Sequence, residues 1–311
     1  MTFFSVIIPL FNKENFIKET LNSLLNQTFK NFEVIIVNDG STDESLKKVE
    51  SFEDERIRIF NQKNKGVTIT RNRAVDKAEG KWMAFLDADD IWKPNHLLEL
   101  KKCVDKLPKA DLVSNAYKIR LQNQFIKIPS YSKTIPNKID YIQNYLEYCF
   151  IDPLFWTSSI AVRKEKFTEI GGFDENLKTG EDLDLMIRFC QKHKIGYNPI
   201  HTITYNRITE NNLTDALHLT EKKKYIDKHK NEESKDPVLK KYLDINRYSL
   251  ALQAKRSYQK DLYRLTLSDI NKANLSSKQL FLIKFPGYIL NHLKRFQLLL
   301  MNAGIYKSAF T

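Results

Sequence analysis

Cysteine is scarce in this chain, with three residues, Cys103, Cys149 and Cys190, among 311. Their number is odd, their spacing wide, and none falls in a paired metal-ligand pattern. A disulfide framework is therefore excluded as the organising device, and free thiols in a reducing compartment, the cytoplasm, are expected. Long apolar runs are also missing. A spanning helix needs roughly 18 to 20 uninterrupted apolar residues, and the tail from Phe281 to Met301 is broken by Lys284, Pro286, Asn291, His292, Lys294 and Arg295. The opening run Phe3 to Phe11 is short, carries Pro9, and lacks the basic stretch and cleavage site of a signal peptide, so it reads as a first strand. The six histidines show no metal-binding spacing, His201 being only a weak ligand candidate, and no internal repeat or low-complexity block is visible. No Gly- and Lys-rich phosphate loop follows the first strand, where Pro9-Leu10-Phe11-Asn12 stands instead.

What is present is a core and an uneven charge. Hydrophobic residues make up 42% of the chain, and the net charge is +12. Residues 221–311 hold 19 Lys and Arg against 8 Asp and Glu, whereas residues 1–220 are nearly neutral at 31 against 30. A basic, helix-patterned tail suits an anionic membrane surface, a polyanionic partner or RNA. Its tyrosines, Tyr225, Tyr242, Tyr248, Tyr258 and Tyr263, fall at helix-like spacings that suit packing better than base stacking, which argues against nucleic acid. Packing on the first domain, self-association and peripheral membrane contact through Phe281 to Leu300 stay open for this region.

Through residue 120, β-branched runs alternate with helical stretches, the mark of βαβ units around a mostly parallel sheet. Strands are expected at Phe4–Ile8, Phe32–Val37, Ile57–Phe60 and Lys81–Leu86, with helices at Glu14–Asn26, from Ser41-Thr42-Asp43-Glu44 as a capping box, and at Val67–Ala78. A helix over Pro94–Leu107, strands at Leu112–Tyr117, Ser158–Val162 and Thr202–Tyr205, and a helix over Glu181–Lys192 follow. The stretch leading to about Phe155 has no assignable pattern. The fold class is α/β with a helical C-terminal appendage, divided near residue 220 into 1–220 and 221–311.

The polar motifs fall just after strand ends, where open α/β sheets bind ligands. Asp87, Asp89 and Asp90 follow the apolar run Trp82 to Leu86. Two short carboxylates there can offer hard oxygens to Mg²⁺ or Mn²⁺ while the other coordination positions stay open for a diphosphate. The competing reading is a turn in which Asp90 helps open the helix near Pro94. Asp39, in Val37-Asn38-Asp39-Gly40, could accept from a uracil imide or serve only a turn, and Arg71-Asn72 could meet a base or phosphate or be a solvated helix face. Asp182, in Gly180-Glu181-Asp182, could be a general base, or could close a capping box with Thr179.

In order along the chain, Ser5-Val6-Ile7-Ile8-Pro9-Leu10-Phe11-Asn12, Val37 to Asp43, Asn64-Lys65-Gly66 with Arg71-Asn72-Arg73-Ala74, Phe85 to Asp90, and Gly171-Gly172-Phe173-Asp174 with Gly180-Glu181-Asp182 resemble the family 2 glycosyltransferases. The resemblance spans roughly residues 3 to 215. It implies a Rossmann-like A-type glycosyltransferase domain and an inverting, metal-dependent transfer from a nucleotide-diphosphate sugar, a UDP-sugar, to a hydroxyl of a glycan or lipid-linked acceptor in surface polysaccharide biosynthesis. It further implies that Pro9 and Phe11 line the base pocket, with Asn12 and Glu14 nearby, and that Asp39 and Arg71, with Asn72, serve the donor. Asp87 and Ala88 would meet the ribose or the metal's shell, Asp89 would ligate Mg²⁺ or Mn²⁺, and Asp182 would activate the acceptor. Trp156, Gly172, Glu181 and Arg207 are placed on the acceptor side. Many relatives carry an aromatic-Arg-x-His segment after the last strand. Here Tyr205-Asn206-Arg207-Ile208-Thr209 keeps the Arg and lacks the His. Two other readings are a nucleotidyltransferase on a related sheet and a sugar-nucleotide-binding module without turnover.

Overall fold

The β-branched runs of the first third build a sheet covered on both sides. The computed structural model describes residues 2–121, 125–206 and 219–302. Strands β1 (Phe4–Leu10), β2 (Phe32–Asn38), β3 (Ile57–Asn61) and β4 (Trp82–Phe85) are joined by α1 (Ile17–Leu25), α2 (Ser45–Glu50) and α3 (Val67–Lys77). β1 runs parallel to both β2 and β4, and β2 to β3. Along β1 the side chains alternate between layers: Phe4, Val6 and Ile8 pack with Leu21 and Leu24 of α1, while Ile7 packs with Ala74 and Val75 of α3. That period of two, with both faces buried, is why these strands read as unbroken apolar runs.

The remainder of the sheet comes from β5 (Ile91–Trp92), β6 (Leu112–Arg120), β7 (Ile126–Lys127), β8 (Asp140–Ile142), β9 (Ile160–Arg163) and β10 (Ile195–Asn206), with α4 (His96–Lys106), α5 (Lys164–Glu169) and α6 (Glu181–Cys190) packed on it. The strand order is β3-β2-β1-β4-β9-β6-β10-β5, with β7 on β6 and β8 on β10. The long strands pair parallel, and the short β9 enters between β4 and β6 antiparallel to both. The result is a mixed α/β fold with a mostly parallel central sheet. The expected strand at Thr202–Tyr205 is the end of the twelve-residue β10, whose register shifts between Asn198 and Ile203, around Pro199. Proline has no N–H for the ladder, and the irregularity there hid the strand's true length. Two expected helix starts also move. α1 begins at Ile17 and α4 at His96, after Pro94 rather than on it.

The basic region forms α7 (Leu219–Lys228), α8 (Lys230–Glu233), α9 (Pro237–Arg256), α10 (Lys260–Ser268), α11 (Ser277–Lys284) and α12 (Gly287–Asn302). Asp236 opens α9 by accepting from the N–H groups of Val238 and Leu239, with Pro237 at the first position. Leu219, Tyr225 and Ile226 of α7 and Leu239, Tyr242, Leu243 and Leu250 of α9 belong to the same buried cluster as Ile7, Phe85 and Leu185. Each such burial stabilises by about 1.5 to 3 kcal/mol. The C-terminal helices are therefore held by the apolar layer of the sheet itself. Among the described residues, no helix is long and apolar enough to cross a membrane.

Candidate active site at the carboxyl ends of the central strands

The loops after β1 and β2 are stitched together by polar side chains. Asn12, at a left-handed φ of 48°, accepts from the Thr42 N–H through Oδ1, and its own N–H donates to Ser41 Oγ. Glu14 Oε2 accepts from the Glu44 N–H. Both residues, expected near the donor, thus brace the loop after β1 against the loop after β2. The capping box expected from Ser41 and Glu44 does not form. Asp43 takes the role instead, accepting from the N–H groups of Ser45 and Glu14, because Ser41 already faces β1. Pro9 is half-buried at the end of β1, and Phe11 presents an exposed ring just past it.

Asp39 is buried and directs both oxygens to the next loop. Oδ1 accepts from Gln62 Nε2 at 2.7 Å and from the Lys65 N–H at 2.8 Å, and Oδ2 accepts from the Gly66 N–H at 2.8 Å. Gly40 lets this turn close, since φ is +73° and a Cβ would lie 3.0 Å from the Asn64 nitrogen. Asn72, expected on the donor side, spans instead to the glycine loop. Its Nδ2 donates to the Phe173 carbonyl and its Oδ1 accepts from the Phe173 N–H, while Gly172 leaves room for it.

Arg71 lies at the centre. It is 4% exposed, its guanidinium sits 5.2 Å above the Phe173 ring, and it pairs with Asp87 Oδ1 at 2.7 Å and Glu181 Oε1 at 2.9 Å. Asp87 follows β4 and Glu181 opens α6, so one cation ties together two acidic runs far apart in sequence. Arg71 was expected to face a base; in the structure its charge is engaged by these carboxylates. Burial and the neighbouring Asp182 push the Glu181 carboxyl up to about 7, with Arg71 opposing. Asp182 is half-buried beside it and accepts the Leu183 N–H. Burial and the charge of Asp87 raise its pKa, partly offset by Arg71 and by that hydrogen bond. The capping box with Thr179 is absent, because Gly180 occupies the cap at φ +76° and offers no side chain. Tyr225 of α7 fills the space beside it, where a Cβ on Gly180 would lie 2.4 Å from the ring.

The three aspartates after β4 have three different settings. Asp89 pairs with Lys13 Nζ at 2.6 Å. Asp90 is fully buried, accepting from Ser158 Oγ at 2.6 Å and the Asn206 N–H at 3.0 Å, so it anchors β10 and does not open α4. Burial and the adjacent Asp89 and Asp87 raise its pKa well above the usual carboxylate range. Ala88 is buried, its carbonyl accepting from Thr20 Oγ1. Among the described residues, no group of three or more His, Cys, Asp or Glu side chains is arranged to hold a metal ion. The two carboxylates after β4 still suit a cation that completes its shell with diphosphate oxygens and water. Lys13 reaches Asp89 through Oδ2, and Arg71 reaches Asp87 through Oδ1. Trp156 packs on Tyr205 with ring centroids 4.1 Å apart, and Arg207 lies outside the described residues.

Several contributors were not anticipated from sequence. Lys13 and Ser158 had no motif of their own, although Lys13 adjoins Asn12, and Asn206 was read only as part of the segment after the last strand. Asp184, two residues past Asp182, is fully buried and pairs with Arg188, Lys228 and His229, locking α6 to α7. Hydrogen bonds from His229, Lys228 and Arg188 hold its carboxyl well below the usual range, against the opposing effect of burial.

The fold and site together define an α/β protein with charged side chains gathered beyond the carboxyl ends of a mostly parallel sheet. Residues 5–171, more than half of the chain, match the profile of glycosyl transferase family 2, and the chain belongs to that family. It is 34% identical over 207 residues to an uncharacterized glycosyltransferase of Rickettsia bellii, covering 62% of this chain and 27% of that protein. It is 41% identical over 96 residues to the putative teichuronic acid biosynthesis glycosyltransferase TuaG of Bacillus subtilis, covering 30% of this chain and 38% of TuaG. The chain thus spans about a quarter to a third of the length of the first curated relatives it matches. The crystal structure of S. aureus TarS 1-349 in complex with UDP-GlcNAc superposes with a TM-score of 0.68 at 22% identity, covering 88% of this chain and 82% of that one, which establishes a shared fold.

Proposed function

We propose that this protein is an inverting glycosyltransferase that moves a sugar from a nucleotide-diphosphate donor, a UDP-sugar, to a hydroxyl of a glycan or lipid-linked acceptor in surface polysaccharide biosynthesis. The observation that carries this reading is the Arg71 bridge, which joins Asp87 after β4 to Glu181, the neighbour of Asp182, at the start of α6. UDP-GlcNAc in the TarS complex and the teichuronic acid assignment of TuaG support the donor and acceptor classes. The reaction is assigned to the cytoplasm, in keeping with three unpaired cysteines.

In this mechanism the nucleobase lies against Pro9 and the exposed ring of Phe11, over the loops braced by Asn12, Glu14 and Asp39. Asp89, with Asp87, would hold a Mg²⁺ or Mn²⁺ ion, whose chemistry is to neutralise charge gathering on the departing diphosphate. Lys13, already paired with Asp89, adds a fixed cation on the same side. Asp182 takes the proton of the acceptor hydroxyl as oxygen attacks the anomeric carbon opposite the leaving group, so one displacement inverts configuration. Its raised pKa keeps it basic enough to hold that proton, and sets activity to fall as pH drops through that value.

Asp182→Asn tests the reading. Turnover of the UDP-sugar should drop ~10²- to 10⁴-fold, the usual worth of a general base, while calorimetric affinity for the donor stays nearly unchanged. Full turnover in the variant would rule Asp182 out as the base. A thermal-shift panel of nucleotide sugars, with and without Mn²⁺, identifies the donor and the metal requirement.

A further inference from the structure

Helix α12 is built with its apolar side outward. Toward the protein it presents Gly287, where a Cβ would lie 2.4 Å from the Lys255 carbonyl oxygen, the buried Leu290, and Asn291. Asn291 exchanges two hydrogen bonds with Arg256, accepting from its Nε at 3.0 Å and donating to its carbonyl at 3.1 Å. Away from the protein it presents Tyr288, Leu293, Phe296 and Leu299, which are 58%, 44%, 59% and 65% exposed. Positions 288, 292, 295 and 299 follow helical spacing, so Tyr288, His292, Arg295 and Leu299 share one stripe with Phe296 beside it. Phe281 of α11 is exposed as well, its ring packed edge-on against Phe285, and Lys284 is exposed near the end of that helix. Charge on this segment has one sign. From residue 270 to 311 the chain has six Lys and Arg and no Asp or Glu.

An amphipathic helix whose apolar stripe faces away from its own core requires another apolar phase to cover it. We propose that this face docks on an anionic lipid bilayer, with α12 lying in the plane of the interface. Tyr288, Leu293, Phe296 and Leu299 would enter the acyl boundary, and Lys284 and Arg295 would meet the phosphates. Charge decides between this occupant and the others. A second copy related by a two-fold axis would set the same positive segment against itself with no carboxylate from that segment to compensate. A polynucleotide would satisfy the cations and leave Leu293 and Leu299 in water. Only an anionic bilayer matches both the leucines and the cations.

The test is co-sedimentation of the full chain with vesicles of phosphatidylcholine alone and of phosphatidylcholine mixed with phosphatidylglycerol, at low and high salt. The wild type should pellet with the anionic vesicles at low salt, and much less with neutral vesicles or at high salt. Phe296→Ser combined with Leu299→Ser, and separately Lys284→Glu combined with Arg295→Glu, should each weaken partitioning by about tenfold or more, given the apolar area and the two reversed charges. Both variants alter exposed side chains and should keep the wild-type thermal midpoint and UDP-sugar turnover in solution, which separates this proposal from the enzymatic one. Wild type that ignores anionic vesicles, or variants that bind them equally well, would overturn it. So would a dimer in sedimentation velocity that the same substitutions dissolve without any lipid binding.

Discussion

The acidic run after β4 and the acidic run opening α6 have similar compositions and are compensated by opposite means. In the first, the deepest carboxylate, Asp90, meets neutral donors, Ser158 and the Asn206 backbone, and its pKa is raised. In the second, the deepest carboxylate, Asp184, meets Arg188, Lys228 and His229, and its pKa is lowered. Both are fully buried, so burial alone does not set the charge; the partners do. The outer members of the two runs, Asp87 and Glu181, share Arg71. In the first run Asp87 is paired with Arg71 and Asp89 with Lys13. In the second, Glu181 is met by Arg71 and Asp184 by Arg188 of α6 together with Lys228 and His229, and Asp182 has none of these cations to itself.

Arg71→Met removes the cation both runs share and should have the largest effect on stability. Two partly or fully buried carboxylates lose their counter-charge, a change that typically costs about 3 to 5 kcal/mol, readable as a lower urea midpoint. A wild-type midpoint would mean the bridge contributes nothing to the fold. Asp184→Asn strips the charge from the second run's anchor and should cost about 2 to 3 kcal/mol, the scale of a hydrogen bond to a charged group. The loss should appear as earlier unfolding of α7 by hydrogen exchange. Asp90→Asn keeps an acceptor for neutral donors and should cost only about 1 kcal/mol; a loss as large as that of Asp184→Asn would erase the contrast between the runs. Glu181 gives a pH signature. Its folded pKa of about 7 exceeds the ordinary 4.5, so the fold holds a proton that the unfolded chain releases between those values. Stability should therefore decline as pH rises through that window and level off above it. Glu181→Gln should flatten the decline in a urea series, and an unchanged slope would place the titration elsewhere.

The parallel strands were legible because Val34 to Val37 and Val6 to Ile8 are buried on both faces, which leaves a continuous apolar record. Asp39 and Asp87 to Asp90 were legible because β2 and β4 are followed by short polar loops. Residue roles were read less well. Asn72 and Asn12 carry the right chemistry for a ligand, and only tertiary contacts show Asn72 clamped to Phe173 and Asn12 to Thr42. Asp184 lies two residues from Asp182, yet its partners Lys228 and His229 come from the end of α7 and the turn after it, with no local signal connecting them to α6. The stretch from Lys118 to Phe155 resisted reading because its strands β7 and β8 are two and three residues long, too short to establish a period.

Sequence by itself determined the α/β class, the placement of Asp39 and of Asp87 to Asp90 after strands, and the basic character of the last ninety or so residues, because periodicity and charge are local properties of the chain. Tertiary structure alone decided that Arg71 joins Asp87 to Glu181, that Tyr225 of the C-terminal helices packs beside Gly180 at the mouth of α6, and which carboxylates are charged. Those outcomes depend on which side chains meet across the fold and on how much water they exclude, and neither is written in any single segment.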